Sequence, residues 1–284
     1  MGKKNRVKGK ARTSLPAFVK RPFEGLPSEC DVIALRELVP AGTAPLTLAG
    51  SDREVVLCSL LPMAAPAMVR ESGAIWLGLQ VQHHFGDPAR DLGAVLEKAI
   101  AQAEAGEVGI VGLTDPPGEG PRLQDLVTGD SLDVTVHEGF DFWLSDVEDK
   151  DAMAGALDQA NEAAIPTSRL SSVEAAYWTS IGTKEHLRWV MPQPEDALLA
   201  ALARLHVAGK DVLVPGARFV GMFRTHGVLA PVWDLEVGTG AEALEEPAAA
   251  FAQDLEAALA DTSDLTPEER SARNGLANRQ VTLR

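Results

Sequence analysis

The chain has 284 residues, 45% hydrophobic and 24% charged, with two cysteines and a net charge of −15. That balance is the one expected of a soluble globular protein of one large or two modest domains. Cys30 and Cys58 are too few for a disulfide framework and wrongly spaced for a zinc ribbon, and no run reaches the roughly 18 apolar residues of a membrane span.

Charge is divided along the chain. Residues 1–22 hold Lys3, Lys4, Arg6, Lys8, Lys10, Arg12, Lys20 and Arg21 and no acid, which makes +8; the whole sums to −15, so residues 23–284 carry −23. With no apolar pattern in its first twelve residues, the basic stretch is expected to be disordered on its own. No hydrophobic core of a signal peptide follows it, and Arg6 stands where a myristoylation signal wants Ser or Thr.

After the arm, Asp31 to Val39 and Pro45 to Leu48 read as short extended or mixed segments. Glu54 to Leu61 and Ala74 to Val81 are rich in β-branched and large apolar residues and read as strands. A helix follows, with Asp87 as cap, Pro88 at its first position and Gly106 beyond its end. Residues 106–122 read as a loop, because Gly109 and Gly112 are not followed by the Gly-Lys-Ser/Thr of a phosphate loop. Leu123 to Val127 and Leu132 to Val136 read as a hairpin, Phe140 to Leu144 as a further strand and Lys150 to Ile165 as a helix.

The second half repeats that order. Ala175 to Ile181 and His186 to Met191 read as strands and Pro194 to Ala208 as a helix. Arg218 to Phe223 and Val228 to Leu235 form a hairpin about His226-Gly227, and Ala243 to Leu259 a helix striped by Leu244, Ala248, Phe251 and Leu255. Thr266, Pro267 and Glu269 mark the start of a charged last helix. The fold expected is α+β: two similar strand-strand-helix-strand-strand-helix halves, compatible with an internal duplication. The divisions are a basic arm (1–22), half one (23–165), half two (166–262) and a helical tail (263–284).

Arg21-Pro22-Phe23-Glu24-Gly25-Leu26, the stretch Cys30 to Thr47 and the ending Asn278 to Arg284 resemble an uncharacterised actinobacterial domain-of-unknown-function family. The resemblance spans nearly the whole chain and implies no activity and no catalytic residues. Topoisomerase and preprotein translocase labels attached to such families find no support here: there is no phosphate loop, and Tyr177 is the sole tyrosine.

No zinc-protease, nucleophile-elbow or dinucleotide motif is present. The metal candidate is His83-His84 with Asp87 and Asp91, between a strand and the first long helix. Adjacent residues on a strand point to opposite sides and Asp87 is committed to capping, so a satisfied histidine pair is the reading preferred, with no metal and no cofactor. His137-Glu138 with Asp141 is an acid–base candidate whose neighbours diverge on an extended segment. His226 precedes Gly227 in a turn, where His tolerates positive φ. His186, His206 and Cys58 fall in packing or surface patterns.

These readings converge on a cytoplasmic, non-enzymatic interaction protein. Its arm residues Lys3, Lys4, Arg6, Lys8, Lys10 and Arg12 are the candidate contacts to RNA, a ribosome or an acidic protein, and no membrane partner is expected. The alternative is an enzyme with a scattered site near His83, His84 and His137.

Overall fold

The computed structural model describes residues 18–146 and 154–283. Lys3, Lys4, Arg6, Lys8, Lys10 and Arg12 lie outside the described residues, and so does the start of the helix expected from Lys150. The described chain is α+β, built on two mixed sheets. Among its helices none is long and apolar enough to cross a membrane.

Helix α1 (Glu29–Glu37) precedes a hairpin of β1 (Gly42–Leu48) and β2 (Ser51–Cys58). Then come β3 (Ala67–Val69), β4 (Ile75–Gly78), α2 (Pro88–Glu104), β5 (Gly109–Val111), the single-turn α3 (Leu123–Leu126), β6 (Val127–Thr128), β7 (Thr135–Val136) and α4 (Ala154–Ala163). The first sheet has the order β5-β3-β4-β2-β1-β6, with β7 also on β1. The rest comprises β8 (Thr167–Arg169), β9 (Ala176–Ile181), β10 (Lys184–Trp189), α5 (Glu195–Val207), β11 (Arg218–Thr225), β12 (Val228–Leu235), α6 (Glu245–Ala260), α7 (Pro267–Ala277) and β13 (Gln280–Thr282). The second sheet runs β13-β11-β12-β10-β9-β8.

The local chemistry explains the clearest elements. Asp87 accepts the Arg90 N–H at the head of α2, and Pro88 follows with its φ already helical. At α7, Thr266 Oγ1 accepts the Glu269 N–H at 3.2 Å while the Glu269 carboxylate accepts the Thr266 N–H at 2.8 Å, a reciprocal cap. Between β11 and β12, His226 (φ 45°) and Gly227 (φ 83°) are both left-handed, the twist that a two-residue hairpin needs.

Strand alternation sorts the core into layers. In the first sheet Val55, Leu57, Ile75 and Leu77 share a core with α1 and α2, while Cys58 and Trp76 face Phe140, Trp143 and Leu157 on the opposite side. In the second sheet Leu187, Trp189 and Trp233 pack with α5, α6 and α7. Its other face, through Tyr177, Val228 and Ala230, joins the core of α1 and the first sheet. Helix α1 is thus bonded to both sheets. Leu35 and Val39 carbonyls accept from Gln80 next to the first sheet, and Asp31 accepts from Arg169 and Tyr177 of the second.

Several expectations need correction. Of the stretch Asp31 to Val39, read as extended or mixed, Asp31 to Glu37 is helical; Cys30 to Leu35 are six successive buried residues, so the helical period was hidden. Leu123 to Val136 is not a hairpin: a helical turn comes first, and Val127 and Val136 pair with Leu48 and Gly42 of β1, not with each other. Phe140 to Leu144 is no strand either. Asp141–Leu144 is a 3-10 turn that points Trp143 inward, where its indole N–H donates to the Leu60 carbonyl at 3.1 Å.

The two halves share the strand order first-second-fourth-third, β1-β2-β4-β3 against β9-β10-β12-β11. They differ in direction and in helix placement. β2 and β4 run parallel whereas β10 and β12 run antiparallel, because α5 intervenes between β10 and β11 while only a short turn separates β2 from β3. The expected element repeat holds in the second half only, and the topology does not confirm a duplication.

Candidate functional site

The parallel pair of the first sheet defines one end of the molecule. Val55 lies opposite Ile75 and Cys58 opposite Gly78, so both strands deliver their carboxyl ends to the same edge. In open α/β sheets that edge is where ligands gather. The loop after β2 passes through Met63 (φ 57°) and Ala64 (φ 51°), two successive non-glycine residues in the left-handed region. Such residues cost ~1–3 kcal/mol each and persist where the surroundings hold them. Gly78 is needed at the meeting point, since a Cβ there would lie 2.3 Å from the Ala65 carbonyl oxygen.

Between these loops and the first turn of α2 is a pocket lined by Arg36, Val81, His83, His84, Asp91 and Leu92, among others. It holds about 20 Å3, enough for one water-sized group. Asp91 is 8% exposed. Its Oδ2 accepts the Phe85 N–H at 2.8 Å, and its buried Oδ1 has no partner among the described residues. Burial pushes this carboxyl up, with the Phe85 bond and the charges of His84 and Arg36 opposing. Arg36 donates to the Leu79 carbonyl and lies 3.3 Å from Glu37; burial holds its guanidinium below the usual arginine value.

Glu37 closes the group. It bonds His226 Nε2 at 2.8 Å, joining α1 to the β11–β12 turn, and His226 stands edge-on to Phe23 with ring centres 5.0 Å apart. Burial pushes the Glu37 carboxyl up, but the His226 bond and the charges of His226, Arg36 and His84 outweigh it and leave the pKa depressed. A depressed carboxylate contributes stability above its unfolded value and loses it as pH falls through the folded one. Urea melts from pH 7 down to ~3, spanning the ordinary Glu value, should show Glu37→Gln with a shallower acid loss than the native chain.

The residues singled out by sequence divide. His83 and His84 are exposed at the pocket mouth, with Asp91 behind them. Asp87 is withdrawn into a bidentate pair with Arg122 at 2.9 Å, besides its capping bond. His137 belongs to the opposite face of the sheet: it bonds Thr43 Oγ1 at 2.8 Å and stacks on Phe142, and burial lowers its pKa. No bond among the described residues joins it to Glu138 or Asp141. His186 and His206 pair with Asp234 and Asp211. Both cysteines are buried, their thiols pushed up to about 12 by burial, which keeps them protonated and unreactive. Among the described residues no three His, Cys, Asp or Glu side chains converge on a metal position.

Arg36 and Glu37 were missed by sequence reasoning, since they sit in the segment read as extended or mixed. The basic arm joins the body beside this same pocket. The Val19 N–H donates to the Gly86 carbonyl at 3.3 Å, Arg21 grips Glu29 through two bonds of 2.8 Å, and Phe23 is fully buried.

No curated protein and no solved structure matches the chain significantly. One family of proteins does, over residues 22–284. The chain belongs to the family described as a family of unknown function, DUF5926.

Proposed function

We propose that this protein is a non-enzymatic, cytoplasmic interaction protein that uses its basic arm to hold RNA, free or within a ribosome. The observation that carries this reading is the segregation of charge, +8 in residues 1–22 and −23 in the remainder. An acidic body repels a polyanion at close range, so contact falls to the arm. The anchoring of Val19, Arg21 and Phe23 supports the same reading, since it fixes where the arm leaves the body. Arg21 is already paired with Glu29, which leaves Lys3, Lys4, Arg6, Lys8, Lys10 and Arg12 as the main phosphate contacts. No aromatic residue precedes Phe18, so base stacking and sequence preference are not expected.

An enzyme drawing jointly on His83, His84 and His137 has less in its favour, because His137 faces the other side of the sheet and the pocket near the first two admits one water-sized group. Sedimentation of lysate at low and high salt tests the proposal. The full chain should co-sediment with RNA at low salt and be released at high salt. A full-length variant with the six arm cations changed to Gln should stay in the supernatant. Identical behaviour of the two chains would remove the RNA reading.

A further inference from the structure

We propose that the Asp91 pocket is a receptor for a primary ammonium group, the head of a lysine or of another alkylamine. The starting point is an unmet hydrogen bond. Asp91 is 8% exposed, its Oδ2 is taken by the Phe85 N–H, and its Oδ1 is buried with no donor among the described residues. A buried acceptor left in that state forfeits the bond that water gave it in the unfolded chain. Arg36, which also lines the pocket, is engaged with the Leu79 carbonyl and Glu37, so a further donor is wanted, and an ammonium head bonded to Oδ1 would supply it. Asp87 does not compete for it, being held by Arg122.

Size selects among donors. The pocket holds about 20 Å3, room for a single water-sized group. An NH3 head is of that size; a guanidinium or a quaternary ammonium is larger. Val81, Pro88 and Leu92 supply aliphatic wall for the methylenes behind the head. The N-terminus of α2 opposes a cation with roughly half a positive charge, which the full charge of Asp91 exceeds. The two left-handed residues Met63 and Ala64 lie in the loop that reaches the pocket wall at Pro66.

The ammonium can come from outside or from the chain itself. Lys10 precedes Val19, whose N–H is bonded to Gly86 at the pocket's rim, by nine residues, a stretch that spans up to about 30 Å. The proposal stands apart from the RNA reading: an arm that binds no RNA leaves the ammonium site unchanged.

The test is a titration of n-butylammonium chloride followed by the backbone amide signals of Phe85 and Gly86. Two proteins are compared, the full chain and a full-length variant with Lys3, Lys4, Lys8 and Lys10 changed to Gln. Saturable shifts are expected at Phe85, reduced at least tenfold in affinity by Asp91→Asn, whose side chain keeps an acceptor for the Phe85 N–H. Guanidinium and tetramethylammonium chlorides on the native chain should give no saturable shift, a discrimination that does not depend on any variant folding. Tighter binding in the lysine-free chain would identify an arm lysine as the natural occupant; equal binding would point to an external amine. Absence of saturation in both proteins, equal response to the larger cations, or binding that survives Asp91→Asn would overturn the proposal.

Discussion

Replacing Arg169 with methionine is expected to lower the melting temperature by about 10 °C. Asp31 is 2% exposed on α1 and receives two bonds from Arg169 of β8, at 3.1 and 3.0 Å, and one of 2.6 Å from the Tyr177 hydroxyl of β9. These partners come from the second sheet while Asp31 itself belongs to the helix ahead of the first. Removing one member of a buried pair strands the other charge, at ~3–5 kcal/mol. Arg169 keeps a quarter of its side chain in water, which favours the low end. At ~2–4 °C per kcal/mol for a body of this size, the loss is large and easily read in thermal melts. The chemistry shows in the second substitution: Asp31→Asn added to Arg169→Met should recover part of the loss, since no charge is then left buried. A change below ~2 °C in the single variant, less than 1 kcal/mol on the same scale, would mean that this triad does not tie α1 to the second sheet.

The other large effect is expected at Trp233. Its side chain is fully buried, its indole N–H donates to the Asp211 carbonyl at 2.8 Å, and Phe219 and Phe251 stand edge-on at 5.2 and 5.4 Å. Truncation to alanine removes that bond and opens a cavity among three elements, β11, β12 and α6, at ~3–5 kcal/mol. Urea unfolding gives the loss directly, and amide exchange should quicken across β10 to β12. Unchanged protection in those strands would place the keystone of the second core elsewhere. Trp143, which stands at the corresponding place in the sequence of the first half, is set differently. It sits in a 3-10 turn against Phe140, with rings 4.6 Å apart, and covers the outer face of the first sheet.

What was legible in the sequence has a common cause. The helices α2, α5 and α7 announce themselves through caps, prolines and one-sided apolar spacing, signals that live within a single turn of chain. The His226-Gly227 turn was legible because a two-residue hairpin demands left-handed backbone and those residue types accept it. Helix α1 was not legible: wedged between two sheets, it is buried all round from Cys30 to Leu35, and a helix without a wet face has no period to read. Strands β3, β5 and β13 are three residues each, too short to alternate. Phe140 to Leu144 imitates a strand through its aromatics, yet tertiary packing folds it into a turn.

The site was half legible. His83, His84, Asp87 and Asp91 lie within nine residues and drew notice by composition. Their roles did not follow from it, because Arg122 claims Asp87 from 35 residues away and Glu37 meets His226 across 189. Asp31, Arg169 and Tyr177 left no trace at all in sequence spacing, being brought together from opposite halves of the chain. Such contacts exist only once both sheets have formed around α1.

The measurement that bears most directly on the central claim is the salt dependence of binding to a single-stranded RNA without defined sequence. Six phosphate contacts by Lys3, Lys4, Arg6, Lys8, Lys10 and Arg12 predict a slope near −4 for log K against log salt. That amounts to a loss of two to three decades between about 50 and 200 mM. The variant with those six residues changed to Gln should show binding too weak to yield a slope. A native slope near zero, or equal binding by the two proteins, would contradict the assignment of the arm as the element that holds RNA.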